Sequence, residues 1–471
     1  MQKGQRGKYL LKNTVIFAIG NFGTKLIAFF LVPLYTNILT TNEYGVVDLI
    51  YTIGTVLVPV LTLNIGEAVM RFSLDKNAEQ EKIMSTGVLS FALSMILCLL
   101  IFPIAVNFKE IGAFSGYVYG YTISLALCQI SLCNLRGKEL LLKYSIGNII
   151  LSLSTAILNI VFLMVLHKGV EGYLTAYILS NLITALYALI AGNILDVFKK
   201  FKIDKKLSKE MVKYSVVLIP NSFMWWIMNS LDRIMVTSMV SVAANGVYAV
   251  AYKVPTLVSM VAGVFNQAWA YSAIREEESS DKTEYSNSVY ERLVGINVVV
   301  GMGLLMIMKK FLQYYVGKEY YEAWKYTPFL VIGFVFMTIG TFVATEYTVH
   351  KDSVGFVVSG IVGAASNVVL NWLLISHMGA MGAALATCFS YILVYVYRVI
   401  DTRKYIVLKV FKVKHLLGYL LMIVASITMF LDNSVGQILL IIEFVLALAL
   451  FADLWIELMK QFFKRFNKNG K

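Results

Sequence analysis

Apolar residues in this 471-residue chain come in long runs separated by short polar turns. The runs are about twenty residues each, the length a helix needs to cross the hydrocarbon core of a bilayer. They do not alternate with a period of two, which argues against an outer-membrane barrel. A window of about nineteen residues predicts about fourteen spans. They fall at 10–34, 44–70, 83–106, 114–134, 144–166, 170–192, 213–239, 246–271, 289–308, 325–346, 353–375, 379–400, 414–431 and 437–459. The segment Met1–Lys12 is basic, but the apolar run after it is full length and has no small-residue cleavage site, so it reads as the first span and not as a removable leader. The expected fold is an all-α polytopic membrane protein.

Composition agrees. Hydrophobic residues make up 58% of the chain and charged residues 15%, against about 25% charged in soluble domains. The net charge of +13 would suggest nucleic acid in a soluble protein. Here its distribution points to membrane topology and to no nucleic-acid partner. With a cytoplasmic N-terminus, 32 of the 41 Lys and Arg residues fall in cytoplasmic segments and 6 in outer ones. That asymmetry follows the rule that basic loops stay inside. It expects both termini in the cytoplasm and an even number of spans. The exception is the outer loop 309–325. Three cations, Lys25, Arg233 and Lys253, lie inside spans.

The pattern also repeats. Glu43-Tyr44-Gly45-Val46 corresponds to Ala244-Asn245-Gly246-Val247 at an offset of 201, and the same offset aligns Lys12 with Lys213, Phe22 with Phe223 and Tyr51 with Tyr252. Gly169-Val170-Glu171-Gly172 likewise matches Gly379-Ala380-Met381-Gly382 at an offset of 210. Spans one to six and seven to twelve therefore read as two parallel copies of one unit, a common transporter plan. The expected domains are a six-helix lobe at 1–207, a second at 208–413, and an extra helix pair with a tail at 414–471.

Chemistry is sparse. Cys98, Cys128, Cys133 and Cys388 sit in apolar runs and read as small hydrophobes. His167, His350, His377 and His415 are scattered near helix ends, and no metal site follows from their spacing. The Gly112, Gly116 and Gly120 steps read as close helix packing, as does the Gly- and Ala-rich stretch 378–386. Trp225, Trp226, Trp269 and the many tyrosines suit either a sugar path or an interfacial belt. Glu276–Glu278 reads as a solvated loop. What stands out is charge within the membrane, which is costly and marks function by default. Lys25 lies in the first span. Asp48 opens the second, Glu67 nears its end and Arg71 closes it. Asp232 and Arg233 lie in the seventh span, Lys253 in the eighth, and Glu346 ends the tenth. At about 1.5 Å per residue, Lys25, Arg233 and Lys253 lie roughly 9–14 Å from the outer helix ends. Three cations at similar depth suit an anionic head group, phosphate above all. Each of Asp232 and Arg233 also has a purely structural reading, as a partner for another helix. Asp48, Glu67, Asp232 and Glu346 are candidate acidic switches for proton or sodium coupling. No cofactor or metal is expected.

Several of these segments resemble a known family. Leu39-Thr40-Thr41-Asn42-Glu43-Tyr44-Gly45, Ala68-Val69-Met70-Arg71-Phe72, Leu231-Asp232-Arg233-Ile234-Met235-Val236 and Ala244-Asn245-Gly246-Val247-Tyr248, with the Gly169/Gly172 and Gly379/Gly382 pairs, resemble the Wzx-type repeat-unit flippases of the multidrug/oligosaccharidyl-lipid/polysaccharide superfamily. The resemblance covers nearly the whole chain. It implies a V-shaped, two-lobed bundle in a bacterial cytoplasmic membrane, and alternating access that moves an undecaprenyl-diphosphate-linked oligosaccharide from the inner to the outer leaflet. It assigns diphosphate or acidic-sugar binding to Arg71 and Arg233 by motif position; Lys25 and Lys253 come from the depth argument alone. Partners it implies are the lipid-linked glycan, membrane lipids, and a glycan polymerase with its export machinery. A charge of −2 moving outward through 100 mV gains about 4–5 kcal/mol, enough for an electrical drive. The nearest rival is a lipid II flippase, which would be expected to carry more arginine in its first two spans. A cation-coupled drug exporter fits less well, since cationic drugs want acidic cavities. An enzyme such as a glycan polymerase would need a large catalytic outer loop, and none is present.

Overall fold

The structure is a computed structural model, described for residues 26–75, 77–107, 111–275, 277 and 279–456. Among these residues the chain is helical, with short turns and no strand. It forms two compact units, Met1–Ala249 and Val250–Lys471.

In the first unit the helices are α1 (Val32–Ile38), α2 (Thr41–Leu61), α3 (Ile65–Ser73), α4 (Gln80–Val106), α5 (Ser115–Gly137), α6 (Leu141–Asn159), α7 (Gly169–Ala191), α8 (Ile194–Lys199), α9 (Lys205–Trp226), α10 (Asp232–Met239) and the first two turns of α11 (Val242–Arg275). The second unit holds the rest of α11, then α12 (Lys282–Tyr315), α13 (Thr327–Val349), α14 (Ser353–Met378), α15 (Ala380–Asp401), α16 (Val413–Thr428) and α17 (Ser434–Leu450). Among the described residues, nine helices are long and apolar enough to cross a membrane, and Leu26–Ile38, Val413–Thr428 and Ser434–Leu450 are shorter apolar helices. The chain is an all-α multi-pass membrane protein. The expected spans from the second to the fourteenth coincide with these helices, or with pairs of them, to within a few residues at most ends. The first is described only from Leu26.

Several spans differ from a single rod: the fifth, expected over 144–166, ends in a π-helical stretch at Ile160–Val165, and the second and seventh depart further. The second, expected over 44–70, breaks after Leu61. Leu63 and Asn64 take left-handed backbone angles (φ 51° and 53°), and the Asn64 N–H donates to the Pro59 carbonyl at 2.8 Å. Asn tolerates that conformation because its short side chain bonds locally. The chain then leaves as α3, which buries Ile65, Ala68 and Val69 against Ile83, Met84, Ile130, Ile194, Val197 and Met211. Glu67 and Arg71 therefore sit on a separate short helix. The seventh span, expected over 213–239, runs as α9, a π-helical turn at Ile227–Leu231, and α10. Such turns widen a helix locally and are frequent at functional sites.

The repeat glycines have matching geometry. Gly169 and Gly379 are the glycines with positive φ among the described residues (52° and 59°), and each starts a helix of the matched segment. The Gly112, Gly116 and Gly120 steps do not make one packing stripe, contrary to expectation. Gly112 lies in a 3-10 turn, and a Cβ at Gly116 would meet nothing within 4 Å.

Candidate functional site

The first unit gathers Asp48, Asp232 and Arg233 into one buried cluster. Its foundation is the start of α2. Thr40 caps this helix: its Oγ1 accepts from the Glu43 N–H at 3.3 Å, and its own N–H donates to Glu43 Oε2 at 2.9 Å. That capping box fixes the helix register and turns Asp48 inward, where it is 5% exposed. Arg233 Nη1 lies 3.2 Å from Asp48 Oδ1. Asn245 Nδ2 at the start of α11 reaches the Gly45 carbonyl at 3.3 Å and Asp48 Oδ2 at 3.5 Å. Asp232 opens α10 directly after the π-helical turn. Its Oδ1 accepts from the Arg233 N–H at 2.9 Å, and its Oδ2 from the Tyr248 hydroxyl at 2.5 Å. Adjacent residues point about 100° apart on a helix, so Arg233 faces α2 while Asp232 faces α11. The widened turn before them sets the height at which both side chains meet their partners.

This cluster rests on a close helix crossing. A Cβ on Gly45 would lie 2.0 Å from the Val242 carbonyl oxygen, and one on Gly246 would lie 2.0 Å from the Thr41 carbonyl oxygen. Thr41 and Val242 are themselves 201 residues apart, the same offset as the two glycines. The contact is thus symmetric between the two copies of the repeated segment, and only glycine lets the backbones approach so closely.

The other expected residues fall elsewhere. Lys25 lies outside the described residues. Arg71 is exposed on α3 and pairs with Asp75 at 2.7 Å. Glu67 is half-buried on the same helix. Lys253 is half-buried on α11, in the second unit. Glu346 is buried near the end of α13, 4.0 Å from Lys282 and 3.7 Å from His350 Nδ1. The fold brings Glu277 into the same cluster: His350 Nε2 lies 3.0 Å from Glu277 Oε1. Histidine and glutamate spacing alone did not reveal this group. The signal present was Glu346 and His350 four residues apart on one helix face, but Glu277 joins them only through the fold.

The aromatic residues mostly pack. Tyr35, Tyr44, Tyr121 and Tyr173 are buried, with Tyr173 stacked on Tyr177 at 4.8 Å. Tyr51, one turn from Asp48, is 40% exposed. Trp226 donates to the Thr52 carbonyl at 3.2 Å. Trp269 is buried and stacks on Phe342 at 4.6 Å, so it belongs to neither a belt nor an open sugar path.

Comparison with known proteins follows from this fold. The family described as polysaccharide biosynthesis protein matches residues 10–276. No curated protein matches the chain. Among solved structures, it is similar to a lipid II flippase MurJ in an inward closed conformation, with TM-score 0.69 and 14% identity over 94% of this chain and 99% of that one. It is similar to an inward-facing multidrug resistance MATE family transporter of the MOP superfamily, with TM-score 0.58 and 13% identity over 81% of this chain and 97% of that one. A MATE structure in complex with MaL6 gives TM-score 0.59 and 12% identity, over 84% and 95%.

Proposed function

The chain belongs to the polysaccharide biosynthesis protein family, a flippase and transporter of the MOP type and not an enzyme, and from that premise we propose that it flips an undecaprenyl-diphosphate-linked oligosaccharide repeat unit from the inner to the outer leaflet of a bacterial cytoplasmic membrane. The membrane-buried Asp48–Arg233 pair carries the reading. A guanidinium held by a carboxylate is a site where a second anion can compete. The carrier diphosphate takes the place of Asp48 on Arg233, and Asp48 takes Arg233 back once the lipid has left. Lys25, Arg71 and Lys253 are the further cations proposed to meet the diphosphate or acidic sugars. Asp48, Asp232, Glu67 and Glu346 are the acidic groups available for proton or sodium coupling. Residues 1–207 and 208–413 act as the two repeated lobes, 414–471 adds the last helix pair, and both termini lie in the cytoplasm.

Lipid II is the second reading, supported by the likeness to MurJ over 94% of the chain. Both substrates share the carrier diphosphate and differ in what it bears. Native mass spectrometry of protein purified gently from a glycan-producing host separates them. A co-purifying undecaprenyl-diphosphate oligosaccharide supports the first reading, and lipid II in its place supports the second.

A further inference from the structure

The cluster in the second unit sets two carboxylates and an imidazole at the spacing of an ion site. Glu277 lies in the turn between α11 and α12, and Glu346 and His350 lie at the end of α13. Their three ligand atoms all lie within 4.8 Å of one another. His350 Nδ1 is 2.9 Å from the Glu346 backbone carbonyl. A carbonyl oxygen only accepts, so Nδ1 carries the proton. The ring then turns Nε2 toward Glu277 Oε1, 3.0 Å away. The Glu346 side chain is 5% exposed, and its Oε2 makes no hydrogen bond, with the Lys282 ammonium at 4.0 Å and His350 Nδ1 at 3.7 Å as ion-pair neighbours. Those distances are longer than hydrogen bonds, which leaves the buried oxygen room for a closer cation.

We propose that Glu277, Glu346 and His350 bind a divalent transition-metal ion, with Zn²⁺ as the representative. Two carboxylates and one imidazole suit this class of ion, and three protein ligands leave a fourth position open. Metal-bound histidines typically donate their other N–H to a carbonyl or carboxylate, as Nδ1 does here. The ring is also held by Tyr405, stacked at 4.0 Å with 13° between planes, and the Tyr405 hydroxyl donates to Asp352 Oδ2 at 2.9 Å. Bonds of about 2.0–2.1 Å put tetrahedral ligands roughly 3.3 Å apart, so binding draws the three atoms inward. Lys282 is the built-in competitor. Its ammonium lies 2.6 Å from Glu277 Oε2 and 4.0 Å from Glu346 Oε2, leaving Glu277 Oε1 to the metal. Occupancy ties the α11–α12 turn to the end of α13, whichever lipid is carried.

The test uses untagged full-length protein in detergent, stripped with a chelator and titrated with Co²⁺, then with Zn²⁺ against a chromophoric chelator. The expected result is a visible tetrahedral Co²⁺ spectrum that Zn²⁺ abolishes. His350→Ala and Glu277→Gln change partly exposed side chains, so they retain the fold, checked by size-exclusion elution. Each weakens binding by about tenfold or more, and Lys282→Met strengthens it. Absence of a Co²⁺ spectrum, an affinity unchanged in both ligand variants, or binding of Mg²⁺ without Zn²⁺ would each overturn the proposal.

Discussion

At the residue scale, Arg233 and Asp48 each depend on the other. Their side chains are 8% and 5% exposed, so truncating either leaves an uncompensated buried charge. Removing one partner of such a pair costs about 3–5 kcal/mol. Arg233→Ala and Asp48→Ala are each expected to lower thermal stability in detergent strongly. The double variant Asp48→Asn, Arg233→Gln should lose much less than the sum, which a double-variant cycle measures. If that neutral pair folds well yet does not flip, the guanidinium serves transport beyond holding α2 to α10. Arg71 offers the opposite case, since it is exposed and pairs with Asp75 four residues on. Arg71→Ala is expected to leave thermal stability unchanged and to slow export in cells with matched protein levels. The charged candidates were legible because ionisable residues are rare within apolar runs. Their pairing was not, because Asp48 and Arg233 are 185 residues apart. The structural reading of Asp232 and Arg233, each bonded to a different helix, matches what the fold shows within the first unit.

The broken second span and the glycine crossing belong to the scale of elements. Apolar length showed that 44–70 is helical. The break was less visible, because Pro59 alone is compatible with a kinked membrane helix. What decides it is the left-handed pair Leu63 and Asn64, together with the core that α3 covers. Leu63→Gly is therefore expected to be tolerated, while Leu63→Ile destabilises the fold, since a β-branched residue is a clear outlier at positive φ. Gly45 and Gly246 were visible as repeat markers but not as contacts. A larger residue at either would drive a Cβ to within 2.0 Å of a backbone carbonyl oxygen. Gly45→Val and Gly246→Val are each expected to cost about 1–3 kcal/mol by overpacking, read as a drop in thermal midpoint. The effects should be similar in size because the contact is symmetric. One variant harmless and the other severe would show that the repeat does not govern this crossing.

For the whole molecule, the basic-residue asymmetry and the span count were the strongest readings of the sequence; among the described residues nine helices are long and apolar enough to cross a membrane and three more are shorter apolar helices, which is compatible with about fourteen spans. The segment 309–325, expected as an outer loop and the exception to the charge rule, forms the end of α12 and a 3-10 helix at Lys318–Lys325, and its lysines are partly neutralised. Lys309 pairs with Asp432 at 3.3 Å and lies 3.9 Å from the Trp324 ring, and Lys325 pairs with Glu322 at 2.7 Å. The substrate stays illegible in the sequence for a physical reason: the carrier diphosphate needs only cations, while the sugar is read by polar and aromatic surfaces that many packed helices share. The measurement closest to the central claim is leaflet-resolved flipping in proteoliposomes, using a fluorescent undecaprenyl-diphosphate oligosaccharide and a membrane-impermeant quencher. The account predicts that wild-type protein moves the lipid between leaflets faster than empty liposomes do, and that Arg233→Gln with Asp48→Asn removes the effect. Wild-type protein that leaves this lipid in place would contradict it.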